Sequence, residues 1–303
     1  MFSLETLPVN HTQLELLLED ESWCKHYFIS KRWPGGFTCN RCKNNTILTS
    51  KPYITACPYC GHRASITSGT ILHGTKKRLS HWLAAAWLMS KSSGTLSIGT
   101  IQQKLDLKNY QTARNLLKKL RYAAKRAGSK KCLGTVEIDD FPLFLNKEKR
   151  TCHLFAAVEI HLKNNVTGRR FLSSCDQLST KSLGRFLDCF VADSSTVLFP
   201  DRQPYRSFHS ARHLTITESE LPFQGAAGQV REEFLASRLN GQPHVFSLKR
   251  LETLLDDFCY QENNKLFSDP LAAFENLVTS MAVNHPPTWD SSCSSEKKAG
   301  GAA

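Results

Sequence analysis

The sequence lacks the features that mark membrane, secreted and repeat proteins. Its 303 residues contain no apolar run of about 18 residues, the length that a membrane-spanning helix requires. Residues 1–21 lack the basic-then-apolar order of a secretory signal, and no segment is repeated along the chain. We therefore expect a cytoplasmic protein, associated with the nucleoid if its source is bacterial.

Cysteine is not scarce, but its distribution argues against disulfide bonds. The 11 cysteines are spread over a long chain without an export signal, which favours reduced thiols and metal ligation. Four of them follow the spacing C-x2-C-x14-C-x2-C: Cys39, Cys42, Cys57 and Cys60. A gap of two residues lets both thiolates of a pair bind one ion, so the spacing predicts a zinc ribbon with structural Zn²⁺. Disulfides and two separate C-x-x-C redox sites are the alternatives.

Acidic residues are almost missing from residues 72–131. This segment contains 14 Lys and Arg against the single acid Asp106, whereas the whole chain has a net charge of +12. So dense a positive segment predicts binding to a polyanion. Double-stranded DNA is the first candidate, because each neutralised phosphate releases a counterion. A solvated, solubilising surface is the alternative.

Residues 97–126 have the pattern of two helices joined by a tight turn. This is the helix-turn-helix pattern, in which the second helix enters the major groove of DNA. The second helix carries six basic residues that we take as candidate DNA contacts: Arg114, Lys118, Lys119, Arg121, Lys125 and Arg126.

After residue 131 the periodicity of the sequence changes. Three β-like runs within residues 132–175 are followed by alternating helices and strands, which predicts a mixed sheet flanked by helices. The fold class expected for the chain is therefore mixed α/β. Asp139 and Asp140 end the first apolar run, and Asp201 follows a later strand. Carboxylates at two strand ends can hold Mg²⁺ or Mn²⁺ between them, although Asp is also common in the turns after strands.

A resemblance to a known family is carried by RWPGGFTCNRC (32–42), by the segment from CPYCG to WLMS (57–90), by TVEIDD (135–140), by PDRQPYRSF (200–208) and by residues 240–264. These segments resemble insertion-sequence transposases that join an N-terminal zinc ribbon to a ribonuclease-H-like DDE domain. The resemblance implies DNA transposition: binding to transposon terminal repeats and target DNA, followed by metal-dependent cleavage and strand transfer. It also implies a homodimer or larger assembly on DNA.

The resemblance assigns roles to the strand-end acids. By position, Asp139 would be the first catalytic acid and Asp201 the second, and both would bind the catalytic Mg²⁺ or Mn²⁺. Asp140 stands where the family usually has Glu.

The third catalytic position departs from the family. An Asn or Glu followed two residues later by Lys is expected there, and the alignment falls on Phe234 and Ala236. Neither side chain can take that role. The adjacent Glu233 and Glu232 are therefore the candidates for the third acid.

Five segments are expected along the chain. They are an N-terminal helical segment (1–32), a zinc ribbon (33–72), a basic helix-turn-helix region (73–131), a ribonuclease-H-like catalytic domain (132–264), and a C-terminal helix with a disordered tail (265–303).

Three functions stay open at this level. The first is a DNA transposase that binds transposon ends and cuts them. The second is a decayed or domesticated transposase that acts as a DNA-binding protein, which the departures at Phe234 and Ala236 favour. The third is a zinc-ribbon transcription factor whose C-terminal half mediates association.

Overall fold

The computed structural model describes residues 10–39, 41–46, 54–92, 96–128, 130–145, 149–161, 166–200, 202–208, 225–239 and 247–285. The described residues form two compact units. Unit 1 runs to Ala127 and resumes at Phe267, and unit 2 lies between them, from Gly128 to Leu266. Helices and strands both contribute to the chain, so the predicted mixed α/β class is confirmed.

Unit 1 is a helical bundle with two short hairpins. Its first helix begins after Asn10, whose side chain accepts the Gln13 N–H, and its second begins after Asp20, whose side chain accepts the Ser22 N–H. Its elements are α1 (His11–Leu17), α2 (Glu21–Arg32), β1 (Phe37–Thr38), β2 (Asn45–Thr46), β3 (Ile54–Ala56), β4 (Arg63–Ser65), α3 (Leu79–Lys91), α4 (Ile98–Lys104) and α5 (Tyr110–Ala127).

The last helix of the chain returns to this bundle. Helix α9 (Pro270–Val283) buries Phe274, Leu277 and Met281, and it packs against α2, α3 and α5. The Ser280 hydroxyl donates to the carbonyl of Ala123 at 2.7 Å. The two ends of the chain therefore build one core, and the C-terminal helix supports the inner side of α5.

Unit 2 is a four-stranded sheet covered by helices. Its elements are β5 (Thr135–Leu145), β6 (Arg150–His161), β7 (Val166–Cys175), α6 (Thr180–Phe190), β8 (Thr196–Leu198), a short 3₁₀ helix (Tyr205–Ser207), α7 (Ala226–Leu239) and α8 (Leu248–Asn264). The strand order is β7-β6-β5-β8. Strands β5, β6 and β7 are antiparallel, and β8 runs parallel to β5. The ladder between β8 and β5 ends at Glu137 and Leu198. Strand β5 itself continues to Leu145 in its pairing with β6, so the prediction that Asp139 and Asp140 end this strand is wrong.

Alternate residues of β5 enter two separate cores. Val136 and Ile138 belong to the core that includes α6, whereas Phe141 and Leu143 belong to the core that includes α7 and α8. Because successive strand residues point to opposite faces, Asp139 shares the face of α7 and α8, and Asp140 faces the α6 side. The two aspartates of the VEIDD run therefore serve different surroundings.

No helix among the described residues combines the length and the apolar content that a membrane crossing needs.

Candidate metal centre, nucleic-acid interface and carboxylate site

The four cysteines lie in two matching turns. In the first turn the Lys43 N–H donates to the Cys39 carbonyl, and in the second the Gly61 N–H donates to the Cys57 carbonyl, both at 2.9 Å. Lys43 and Gly61, each immediately after the second cysteine of its pair, adopt positive φ angles of 63° and 65°. Hairpins β1–β2 and β3–β4 carry the two turns. This backbone geometry aims all four thiols at one point.

The distances between the sulfur atoms fit a tetrahedral ion. Sγ of Cys39 lies 3.7 Å from Sγ of Cys60, and Sγ of Cys42 lies 3.5 Å from Sγ of Cys57. All four sulfur atoms lie within 4.8 Å of one another. Thiolates at 2.3 Å from a tetrahedral zinc are separated by about 3.8 Å. The four cysteines can therefore hold a metal ion such as zinc, and they are free thiols, so the disulfide alternative is wrong for them.

Within the cysteine cluster, one thiol is favoured as the thiolate at the expense of another. The Cys42 N–H donates to the Cys39 sulfur and lowers the pKa of Cys39 to about 6. The His62 N–H acts in the same direction on Cys60, but burial and hydrogen bonds with the neighbouring thiols outweigh it and raise the pKa of Cys60 to about 11. A thiolate is the form that binds a metal ion. A closed shell of four thiolates leaves no open coordination position, so an ion held here would stabilise the fold and would not take part in catalysis.

Helices α4 and α5 form the expected pair joined by a turn. The Ser97 side chain accepts the Thr100 N–H and begins α4, while the Asn109 side chain accepts the Gln111 N–H at 2.7 Å and begins α5. Ile101 and Leu107 are buried at and just after α4. The side-chain caps define where the two helices begin, and the helices contact each other.

The basic residues of α5 divide into two groups. Lys119 is half-buried: its Nζ donates to the His73 carbonyl at 2.8 Å and lies 5.8 Å from the centre of the Trp82 ring. Burial lowers the pKa of Lys119. Arg121 donates to the Leu96 carbonyl at 3.2 Å. The remaining candidates lie on the exposed face of the helix: Arg114, Lys118, Lys125 and Arg126.

Among the carboxylates of β5, Asp140 is enclosed by protein groups. The Tyr205 hydroxyl donates to its Oδ1 at 2.8 Å, and Nδ1 of His153 lies 3.3 Å from its Oδ2. Only 1% of the Asp140 side chain is exposed, compared with 38% for Asp139. Burial also raises the pKa of Tyr205, which keeps that hydroxyl a donor. Asp140 therefore stabilises the fold locally, while Asp139 remains accessible to a ligand.

Arg202 links both aspartates. Its Nη2 lies 2.5 Å from Oδ1 of Asp139 and 2.9 Å from Oδ1 of Asp140, and it donates to the Asp140 carbonyl at 3.0 Å. Asp201 lies outside the described residues. Its neighbours Pro200 and Arg202 are described, and the contact of Arg202 brings the segment after β8 beside Asp139.

Glu233 and Glu232 lie on α7, and neither contacts Asp139. Glu233 accepts from Nη1 of Arg170 at 2.6 Å. Arg170 is in register with Val158 and, through it, with Glu137, so it lies two strands, or about 10 Å, from β5.

Glu232 points away from both Asp139 and Arg170. Its side chain is 65% exposed and pairs with Arg231 at 2.6 Å. Val230 and Phe234 are buried against the sheet, and Glu232 lies on the opposite side of α7. Phe234 is a core residue and Ala236 is exposed. Neither position therefore supplies the third acid or the lysine that the resemblance implies.

Sequence reasoning missed one carboxylate on the same face as Asp139. Glu137 is 6% exposed, and its Oε1 accepts the Ala227 N–H at 3.2 Å, at the start of α7. Its Oε2 has no hydrogen-bond partner among the described residues. Burial raises the pKa of Glu137, and the charge of Asp139 adds to the rise. A glutamate inside an apolar strand is the signal that could have identified it.

Within the described part of the chain, the four cysteines are the group that meets the geometry for holding a metal ion. No protein-family model matches the chain, and no curated protein matches it.

Proposed function

We propose that the chain is a DNA transposase of the DDE type, in which unit 1 binds DNA and unit 2 cleaves and joins strands. The observation that carries this proposal is the contact between Arg202 and Asp139. It supports an arrangement in which the residues just after β8, including Asp201, approach the accessible carboxylate of β5.

The topology of unit 2 supports a ribonuclease-H-like domain. Three antiparallel strands in sequence are followed by a helix and by a strand parallel to the first, in the spatial order β7-β6-β5-β8. Asp139 lies within β5, two residues beyond the end of its ladder with β8, and Asp201 follows the last residue of β8 by three positions. That arrangement suits Asp139 and Asp201 for a shared divalent ion of the Mg²⁺ or Mn²⁺ type.

Bound Mg²⁺ or Mn²⁺ would activate a water or a 3′-hydroxyl as the nucleophile and would stabilise the leaving oxygen. The contribution of the chain itself is the placement of oxygen ligands. Asp139 presents a partly exposed carboxylate beyond the end of the β5–β8 ladder, and its Oδ1 accepts the Asp140 N–H at 2.8 Å, which fixes its orientation.

The features of unit 1 support binding to duplex DNA. Helix α5 contains no acidic residue among its 18 residues, and its exposed face carries Arg114, Lys118, Lys125 and Arg126. In a helix-turn-helix the second helix lies in the major groove, a role open to α5, and phosphate contacts from such cations position a protein on DNA. The cysteine turns precede this region in sequence, and zinc bound there would join hairpins β1–β2 and β3–β4.

A second candidate is a transposase-like protein that binds DNA without cutting it. The bond of Glu233 to Arg170 and the exposed position of Glu232 favour this function, because neither acid contacts Asp139. The described residues of α7 thus contribute no third carboxylate to Asp139.

One experiment separates the two functions. Zinc-loaded protein is incubated with a supercoiled plasmid that carries its own coding sequence and natural flanks, in Mg²⁺ or Mn²⁺, and excised and nicked DNA is quantified. The transposase should give products that Asp139→Ala and Asp201→Ala abolish, whereas Asp188→Ala, an exposed change on α6, should leave them unchanged. If the wild type binds the plasmid but forms no more product than Asp139→Ala, the protein is a binder.

A further inference from the structure

Two amide side chains lie next to each other at the start of the exposed face of α5. Gln111 and Asn115 are both exposed, one helical turn apart. Nε2 of Gln111 donates to Oδ1 of Asn115 at 3.0 Å. Arg114 and Lys118 flank them on the same face.

The first turns of α5 are held rigidly. The Asn109 side chain caps the helix through the Gln111 N–H, and Ala113, Leu116 and Leu117 are buried behind the exposed face. The two amides are therefore presented from a fixed backbone. In a helix-turn-helix, residues near the N-terminus of the second helix are those that contact base edges.

The bond between the amides leaves both an acceptor and a donor available to a ligand. Oε1 of Gln111 remains an acceptor and Nδ2 of Asn115 remains a donor. In the major groove adenine offers the N6 donor and the N7 acceptor, which is the complementary pair. Guanine offers two acceptors, O6 and N7, and suits a donor-only side chain such as Arg114.

We propose that Gln111 and Asn115 together read an adenine in the major groove of duplex DNA. This inference rests on the proposed binding of DNA by unit 1 and adds the residues that select sequence. Because both side chains are neutral, they release no counterion and contribute to base preference, whereas cations on the same face set the salt-dependent affinity.

The test is selection of bound sequences from a random duplex library by the zinc-loaded full chain. The wild type should select a site with adenine at one fixed position. Gln111→Ala/Asn115→Ala should lose the preference at that position, by roughly 5- to 100-fold in relative affinity, and keep the preferences elsewhere. Lys118→Ala is the matched control, and it should weaken all sequences alike without changing the selected site.

An isosteric change sharpens the result. Asn115→Asp replaces the Nδ2 donor by an acceptor, which suits the N4 donor of cytosine. The selected base should therefore move from adenine towards cytosine. Selection of an unchanged site by Asn115→Asp and by the double variant overturns the inference while DNA binding stands. A wild type that binds no duplex overturns the proposed function, and this inference with it.

Discussion

Nη2 of Arg202 lies 2.5 Å from Oδ1 of Asp139 and 2.9 Å from Oδ1 of Asp140, so one guanidinium bridges two carboxylates from opposite faces of β5. Beyond Glu137, β8 no longer pairs with β5, and the side chain of Arg202 reaches around that open edge. A cation of the chain thus contacts the carboxylate that we propose as a ligand for a divalent ion.

Removing Arg202 should strengthen the binding of a divalent ion. The guanidinium and the ion compete for Asp139, and a hydrogen bond to a charged group contributes about 1.5–3 kcal/mol. Arg202→Ala should therefore raise the affinity for Mn²⁺ on the order of tenfold in titrations of zinc-loaded protein. Lys181→Ala, an exposed change on α6, is the charge control. Equal affinities of Arg202→Ala and the wild type would show that Arg202 does not compete for this site.

Cys57→Ser should release the structural metal. It removes one of four thiolates from a closed shell, so the hairpins β1–β2 and β3–β4 lose their common anchor. Metal analysis should find zinc in the wild type and little in the variant, and amide exchange should accelerate in residues 37–65. Cys175→Ser changes a thiol of unit 2 outside the cluster and should retain zinc. Stoichiometric zinc in Cys57→Ser would count against the four-thiolate site.

Lys118 and Lys119 are adjacent in sequence but should behave differently. Lys118 is exposed, whereas Lys119 bonds the His73 carbonyl beside Trp82. Lys118→Ala should reduce the slope of log affinity against log salt by about 0.9, the value for one phosphate of B-DNA. Lys119→Ala should lower the thermal stability of unit 1 and change the slope less. The comparison requires DNA affinities between about 50 and 200 mM salt. Equal salt slopes for the two variants would contradict the assignment of Lys118 to a phosphate contact and of Lys119 to a structural one.

Phe274 should be essential for the stability of unit 1, although it lies near the C-terminal end of the chain. It is 1% exposed, stacks on Tyr27 with ring centres 5.8 Å apart and meets Trp87 edge-on. Phe274→Ala should cost about 3–5 kcal/mol of unfolding free energy.

Denaturant unfolding followed by tryptophan fluorescence measures this effect, because four of the five tryptophans belong to unit 1. Phe267→Ala is the control, since Phe267 is 37% exposed, and it should cost less than about 1 kcal/mol. Similar losses for the two variants would show that α9 is not part of the core of unit 1.

The sequence predicted the features that local spacing determines. The cysteine pairs predicted the four-thiol cluster because two-residue gaps define their turns, and the change of periodicity after residue 131 predicted the mixed α/β class. Helical periodicity could also have separated Lys119 from Lys118, since on the helical wheel Lys119 lies next to the buried Ala123 and Leu116, whereas Lys118 lies on the opposite, exposed side.

Other features depend on contacts between residues distant in sequence. Nothing local indicates that α9 packs against α2, which lies more than 200 residues earlier, or that Arg170 takes Glu233 as its partner. The roles of Glu137 and Asp140 depend on which face of β5 each residue occupies. The sequence VEIDD alone does not determine that face, which depends on the pairing of β5 with β6 and β8.

The central claim is that Asp139 and Asp201 hold one divalent ion beside β5, beyond the end of its ladder with β8. Iron-directed cleavage of the chain tests it most directly: zinc-loaded protein is incubated with Fe²⁺, ascorbate and peroxide, and the broken peptide bonds are mapped. The account predicts breaks close to both Asp139 and Asp201 that excess Mg²⁺ suppresses and Asp139→Asn removes. Breaks beside neither residue, or a pattern unchanged in Asp139→Asn, would contradict it.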